Sequence, residues 1–138
     1  MIILDTNIIS DQMTRLPDER VLAWLNRYEI SELWLTSITI AELRFGAWLP
    51  NEANRHQYLM RTIDDIQTDY EGRILVFDER SAGDYAKLCA VRRKTGRPIE
   101  TKDAMIASIA IQNGATLATC NIRDFDGLGL TLVNPFEG

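Results

Sequence analysis

Histidine and cysteine are nearly absent from this 138-residue chain: His56 is its one histidine, and Cys89 and Cys120 are its two cysteines. The thiols stand 31 positions apart, outside any Cys-x-x-Cys pattern. A zinc centre and a disulfide scaffold are therefore not expected, and reduced thiols of a cytoplasmic protein are. No run of about 20 uniformly apolar residues is present, so no membrane-spanning helix is expected. The opening Met1-Ile2-Ile3-Leu4-Asp5 lacks a basic region and meets an acid at position 5. It does not read as a signal peptide. Positive charge is also in deficit, with 15 bases against 20 acids and a net charge of −5. This excludes a protein that coats nucleic acid through a global positive field.

What is present is ordinary for a globule: 46% hydrophobic and 25% charged residues. Area scaling for 15.7 kDa lets roughly two-thirds of the extended surface be buried, enough for a core without covalent staples. Without repeats or Pro/Gly/Ser-rich linkers, residues 1–138 read as one domain.

Short apolar runs alternate with helical patterns. Strands are expected at Ile2–Leu4, Leu33–Thr36, Ile74–Phe77, Ala115–Thr119 and Leu130–Val133. Helices are expected at Thr6–Met13, from Asp18 to about Tyr28, from a Ser37 or Thr39 cap to Leu49, and at Asn51–Asp69. Two more follow, at Glu79–Thr95 and from a Thr101 cap to Asn113, stopped by Gly114. Such alternation predicts an α/β fold, a parallel sheet covered on both faces. In such sheets ligands bind outside the carboxyl ends of the strands.

Acids collect at that edge. Asp5 ends the first strand, Glu42 lies in the helix after the second, Asp103 opens the helix before the fourth, and Asn121 and Asp124 follow the fourth. Each acid has a purely structural explanation: Asp5 as a helix cap, Glu42 as capping-box partner of Thr39, Asp103 as a dipole partner, and Asp124 as a loop acid. Together they form an oxygen-only donor set, suited to Mg²⁺ or Mn²⁺.

The same residues carry a resemblance. Ile3-Leu4-Asp5-Thr6-Asn7-Ile8-Ile9-Ser10 resembles the opening of PIN-domain ribonucleases. Thr39-Ile40-Ala41-Glu42-Leu43-Arg44-Phe45-Gly46, Thr101-Lys102-Asp103-Ala104 and Ala118-Thr119-Cys120-Asn121-Ile122-Arg123-Asp124-Phe125 are similar to the later motifs, and Val133-Asn134-Pro135-Phe136 to the ending. The ordered set spans the chain and is most similar to the VapC/FitB-like toxins of toxin–antitoxin pairs. The resemblance implies a PIN-like three-layer fold, Mg²⁺-dependent RNA cleavage and a homodimer. It also implies inhibition by a VapB- or FitA-like antitoxin, through which the complex can bind operator DNA. Asp5, Glu42 and Asp103 match the metal-centred acids. FitB-like members carry Asp where this chain has Asn121, whereas other members pair Asn with an acid three residues later, as Asn121 and Asp124 do. An amide oxygen is the poorer cation ligand, so Asp124 is expected to supply the charge. Thr6 is expected either to donate to a phosphate oxygen or metal-bound water, or to make a local hydrogen bond.

Between Arg92 and Lys102 lie five of the 15 bases and one of the 20 acids. Arg92, Arg93, Lys94 and Arg97 are therefore candidate RNA-backbone contacts; the alternative is a solvated helix end. Phe45 and Trp48 lie on one helical stripe with Ala41 and Arg44, a candidate antitoxin groove with Trp24 as a possible wall, or else core. His56 reads as surface and Cys120 as a small core residue.

A haloacid-type phosphohydrolase would need a second acid in Asp5-Thr6-Asn7, and a receiver domain would need an acid pair at Asp5. The alternatives kept are a housekeeping PIN-type RNA-processing nuclease and a non-catalytic PIN-like binding module.

Overall fold

The computed structural model describes residues 1–137. Its five strands are β1 (Ile2–Leu4), β2 (Leu33–Thr36), β3 (Ile74–Leu75), β4 (Thr116–Ala118) and β5 (Thr131–Val133). They form one all-parallel sheet in the order β3-β2-β1-β4-β5. Among the described residues the seven α-helices are α1 (Thr6–Gln12), α2 (Glu19–Leu25), α3 (Ser37–Trp48), α4 (Ala53–Asp69), α5 (Glu79–Lys94), α6 (Thr101–Asn113) and α7 (Ile122–Phe125). This is the expected PIN-like α/β architecture.

Successive strand residues point to opposite faces, and the sheet separates two cores accordingly. Leu4 and Ala118 join Ile8, Val21, Trp24, Leu35, Leu43 and Ile63 on the face of α1–α4. Ile3 and Leu117 join Leu88, Ile106, Ile109 and Phe125 on the face of α5–α7. Helix α6 buries Ala104, Ile106, Ala107, Ser108, Ile109 and Ala110. Its small alanines allow close approach, and Gly114 (φ 60°) ends it in the left-handed conformation predicted for a helix stop.

From β1 the chain steps outward to β2 and β3, then returns to the other side of β1 for β4 and β5. Strand order reverses between β1 and β4, and such a switch point opens a crevice at the carboxyl strand ends. The Asp5 N–H donates to the Ala118 carbonyl at 2.9 Å, tying the two strand ends together there.

The local details differ from expectation in several places. Helix α3 is capped by Thr36, whose hydroxyl accepts the Thr39 N–H, not by Ser37 or Thr39. Glu100 precedes α6 and makes no side-chain cap, so Thr101 is the first helical residue and not the cap. Strand β3 stops at Leu75, short of Phe77. Helix α2 stops at Leu25, and Leu22 is exposed. Helix α7 was not anticipated. Four residues are too few to show periodicity, and α7 is held in place by the fully buried Phe125.

Candidate active site

Asp5, at the end of β1, is the buried floor of the site and is only 3% exposed. It caps α1, with Oδ1 accepting the Thr6 N–H at 2.8 Å. Its Oδ2 accepts from the Thr119 hydroxyl at 2.8 Å and from Asn7 Nδ2 at 3.0 Å. The structural and functional readings of Asp5 are therefore compatible. Burial raises the Asp5 pKa above the usual carboxylate value against the pull of these donors, and the charge of Glu42 adds to the rise.

Thr119 is fully buried at the end of β4 and acts as a hub. While donating to Asp5, it accepts from Asn7 Nδ2 at 3.3 Å and from the Asn121 N–H at 3.0 Å. The Asn7 side-chain oxygen accepts the Cys120 N–H at 3.1 Å, tying the start of α1 to the end of β4. The Asp5-Thr6-Asn7 and Thr119-Cys120-Asn121 triplets are thus one hydrogen-bonded unit. The roles of Asn7 and Thr119 were missed in the sequence, although both lie within the quoted motifs.

Glu42 does not complete a capping box with Thr39. Its Oε1 accepts the Thr6 hydroxyl at 2.9 Å, and its Oε2 lies 3.5 Å from Lys102 Nζ. Because the Thr6 proton goes to Glu42, the Thr39 hydroxyl must donate to Thr6 across 3.0 Å. Thr6 thus makes neither a free phosphate donor nor a local hydrogen bond; it joins α1 to the Glu42 turn of α3.

Beside Asp5, which does not line it, lies a cavity of about 480 Å³ lined by Glu42, Glu100, Asp103, Asn121, Arg123 and Asp124, among others. Asp103 is half-buried on the α6 wall. Its pKa is raised to about 6, first by desolvation and then by the charges of Asp5, Glu100, Asp124 and Glu42. Glu42, Asp103 and Asp124 therefore share one cavity, Asp5 lies close enough for its charge to act on Asp103, and Glu100 joins them as an acid that sequence reasoning passed over. Asp124 and Asn121 are exposed at the rim, with the Asp124 N–H donating to the Asn121 carbonyl at 3.0 Å.

The oxygen donors suit a hard divalent ion, and the mutual repulsion that lifts the Asp103 pKa is what a cation relieves. Among the described residues no three acid, histidine or cysteine side chains converge tightly enough to cage an ion as they stand. Both Asp5 oxygens accept protein donors, and Glu42 is held by Thr6 and Lys102. The arrangement fits an ion that keeps most of its own waters and is completed by a phosphate ligand.

The basic segment divides. Arg92 is 5% exposed and donates to the Asp124 and Asp126 carbonyls at 2.8 Å each, so it anchors α7 and cannot be a backbone clamp. Arg97 pairs with Asp126 at 2.7 Å and donates to the Arg123 carbonyl at 2.8 Å. It, too, is engaged with the protein. Arg93 and Lys94 are exposed and form no ion pair among the described residues. Arg92 and Arg97 line the acid cavity, together with Arg123 from outside the expected segment.

Phe45 and Trp48 are 64% and 67% exposed, which rules out the core reading, while Trp24 is core and no groove wall. The inner stripe of α3 is instead Ile40, Leu43 and Ala47. His56 is more than plain surface: its ring lies 4.3 Å from that of Trp48, and Nδ1 donates to the Ala47 carbonyl at 2.7 Å. Cys120 is exposed and not core, because β4 ends at Ala118 and the chain turns outward.

The PIN-domain sequence pattern matches residues 2–129. The chain is 38% identical to VapC ribonuclease Y4jK of Sinorhizobium fredii and 37% identical to toxin FitB of Neisseria gonorrhoeae, each alignment covering 99% of both chains. The solved structure of FitAcB from Neisseria gonorrhoeae superposes with a TM-score of 0.94 at 35% identity, covering 100% of both chains. With the switch-point crevice, the ordered motifs and full-length likeness to these proteins, the chain belongs to the PIN-domain family, in the branch that holds the VapC and FitB proteins.

Proposed function

We propose that this protein is an endoribonuclease dependent on Mg²⁺, with Mn²⁺ as a substitute, and the toxin of a cytoplasmic toxin–antitoxin pair. The observation that carries this reading is that Glu42, Asp103 and Asp124, from three separate stretches of chain, line one cavity beside Asp5, where burial and then the neighbouring carboxylates raise the Asp103 pKa to about 6. The names of the relatives, a VapC ribonuclease and a toxin, support it.

Asp5 and Asp103 would hold the cation, with Glu42 and Asp124 completing the acidic set and Asn121 as the neutral member. When bound, the cation supplies a more acidic water and a polarised phosphate. Asp5 is the rigid member, since three donors fix its carboxylate. Glu42, oriented by Thr6, aligns the attacking water or the shell around it. Lys102 and Arg123 offset phosphate charge at the cavity mouth. Attack by water at phosphorus breaks the bond to the 3′ oxygen, leaving a 5′-phosphate and a 3′-hydroxyl.

The partner we propose is a VapB- or FitA-like antitoxin bound to a homodimer, with operator DNA held through the antitoxin. A groove of about 210 Å³ between α1, α3 and α4 ends at Glu42, and Phe45 and Trp48 stand out from α3 nearby. An amphipathic segment carrying Arg or Lys would complement both.

The test is RNA cleavage by purified, chelator-treated protein. Activity is expected to be absent in EDTA, to return with Mg²⁺ or Mn²⁺, and to leave 5′-phosphate ends. Undiminished cleavage in excess chelator overturns the metal mechanism, and failure to cleave any RNA overturns the nuclease reading.

A further inference from the structure

A second cavity, of about 460 Å³, lies against the acid cavity, with Pro98 and Ile99 lining both. We propose that it is a nucleotide subsite: it takes the base and phosphate of a ribonucleotide flanking the scissile bond. The proposal deepens the nuclease reading and rests on it for the identity of the polymer.

The cavity lining combines two chemically distinct sets of side chains. One is apolar and aromatic, formed by Tyr85, Cys89 and Ile99. All three are partly buried and pack against the α5–α6 core, and the Tyr85 ring is fixed edge-on to Phe77 at 5.6 Å and 85°. A fixed ring beside an aliphatic wall accepts the flat apolar face of a base at little entropic cost. The other set is cationic, Arg93 and Lys94.

These two cations are free to take a partner. Neither makes an ion pair or a side-chain hydrogen bond among the described residues, whereas Arg92, Arg97 and Lys102 in the same segment are all engaged. A position at the C-terminus of α5 would by itself favour bases that bond its last carbonyls. Three of the last four are already used: Val91 accepts from the Thr95 N–H, Arg92 from the Arg97 N–H, and Arg93 from the Gly96 N–H. The side chains are left for an anion from outside. No carboxylate lines this cavity, so a cation is not its ligand.

Continuity selects a nucleotide over an isolated phosphate or an acidic peptide. Thr101 lines this cavity, while Glu100 and Asp103 line the acid cavity, so the first turn of α6 is the partition between them. A strand with one phosphate at the acids and an adjacent nucleotide across the Pro98–Ile99 ridge occupies both. Stacking beside Tyr85, Cys89 and Ile99 accepts any base and gives the cleavage only a modest sequence preference, set by stacking strength.

The test uses the full chain in EDTA and the four nucleoside 5′-monophosphates as probes, followed by amide chemical shifts. Expected are saturable shifts at Tyr85, Cys89, Ile99 and Thr101, different affinities among the four bases, and weakening by about tenfold in Tyr85→Leu. Binding should be lost in Arg93→Ala/Lys94→Ala. Inorganic phosphate giving the same shifts with the same affinity overturns the subsite, and so do shifts confined to other surfaces. Sedimentation of the same variants guards against a contact between copies: a changed mass with unaltered nucleotide binding also overturns it. The two readings fail separately. If Tyr85→Leu cleaves RNA with unchanged KM and unchanged sequence preference, the subsite falls and the nuclease stands. If nucleotides bind as described but no RNA is cleaved, the nuclease falls and the cavity remains a nucleotide site.

Discussion

The buried floor of the site at the strand ends and the wall of the acid cavity are built on opposite principles. Asp5, at the strand ends, is buried and wrapped by the Thr6 N–H, the Asn7 amide and the Thr119 hydroxyl. Asp103, on α6, has no side-chain hydrogen bond among the described residues and sits in the field of four other carboxylates. The floor is preorganised by hydrogen bonds before any ligand arrives. The wall stores electrostatic repulsion that only a cation or a proton discharges. A rigid ligand paired with an electrostatically frustrated one couples affinity for a cation to local stability.

The largest expected effect treats the two acids alike. Asp5→Asn and Asp103→Asn should each lower RNA cleavage by at least about a hundredfold, measured in single-turnover assays, because each removes a charge that the proposed cation needs. The contrast lies in stability. Asp103→Asn should stabilise the metal-free protein in urea unfolding, since repulsion is relieved, while Asp5→Asn breaks a donor-matched network and should not. Equal stability changes would dissolve the distinction between floor and wall.

A second contrast lies within the basic segment. Arg92→Met leaves the Asp124 and Asp126 carbonyls without their donor and should cost about 2–3 kcal/mol in urea unfolding. Arg93→Ala should change stability by less than about 0.5 kcal/mol. A neutral Arg92→Met would mean that α7 is held by Phe125 alone.

Thr119→Val keeps the shape and deletes the hub hydroxyl. About 1–2 kcal/mol of stability should be lost, because Asn7 and the Asn121 N–H lose an acceptor and Asp5 a donor. Removing a donor that stabilises the carboxylate should also push the Asp5 pKa further up, readable by carboxyl-carbon NMR titration. An unmoved Asp5 titration would show that Thr119 only packs.

The smallest effect is with pH. The folded-state pKa of Asp103 is about 6, above its ordinary 3.8. The folded state therefore binds this proton more tightly than the unfolded state, and the contribution is favourable at low pH and fades as pH rises from about 4 to 6. Metal-free protein should lose stability over that window, and Asp103→Asn should flatten the slope. An identical slope in Asp103→Asn would assign it to other groups.

Much of this was legible in the sequence because it depends on local order. Apolar triplets such as Ile2-Ile3-Leu4, separated by helical stretches, imply buried parallel strands, and the carboxyl-end rule then places Asp5, Asn121 and Asp124 at one edge. Helix stops such as Gly114 need only backbone freedom. Caps were less legible because they are competitive: Thr36, Ser37 and Thr39 all offer a hydroxyl within four positions, and the turn geometry selected Thr36. Arg92 and Arg93 are adjacent and chemically identical, yet one is buried under α7 and the other faces solvent, since neighbours on a helix point about 100° apart. Phe45 and Trp48 are as apolar as any core residue. The narrow inner stripe of Ile40, Leu43 and Ala47 already fills the space against the sheet, and they are left outside.

By itself, the sequence determined the α/β architecture, the ordered acids and the hard-donor character of the site, because residue type and spacing suffice for those. Only the tertiary structure decided how the acids are supported: Thr119 reaching Asp5 from 114 positions away, Thr6 and Lys102 sharing Glu42, and Arg92 spent on carbonyls of the α7 segment. Those partners come from separate elements, and which donor meets which acceptor is fixed only when strand order brings β1 beside β4 and packing sets the distances between helices.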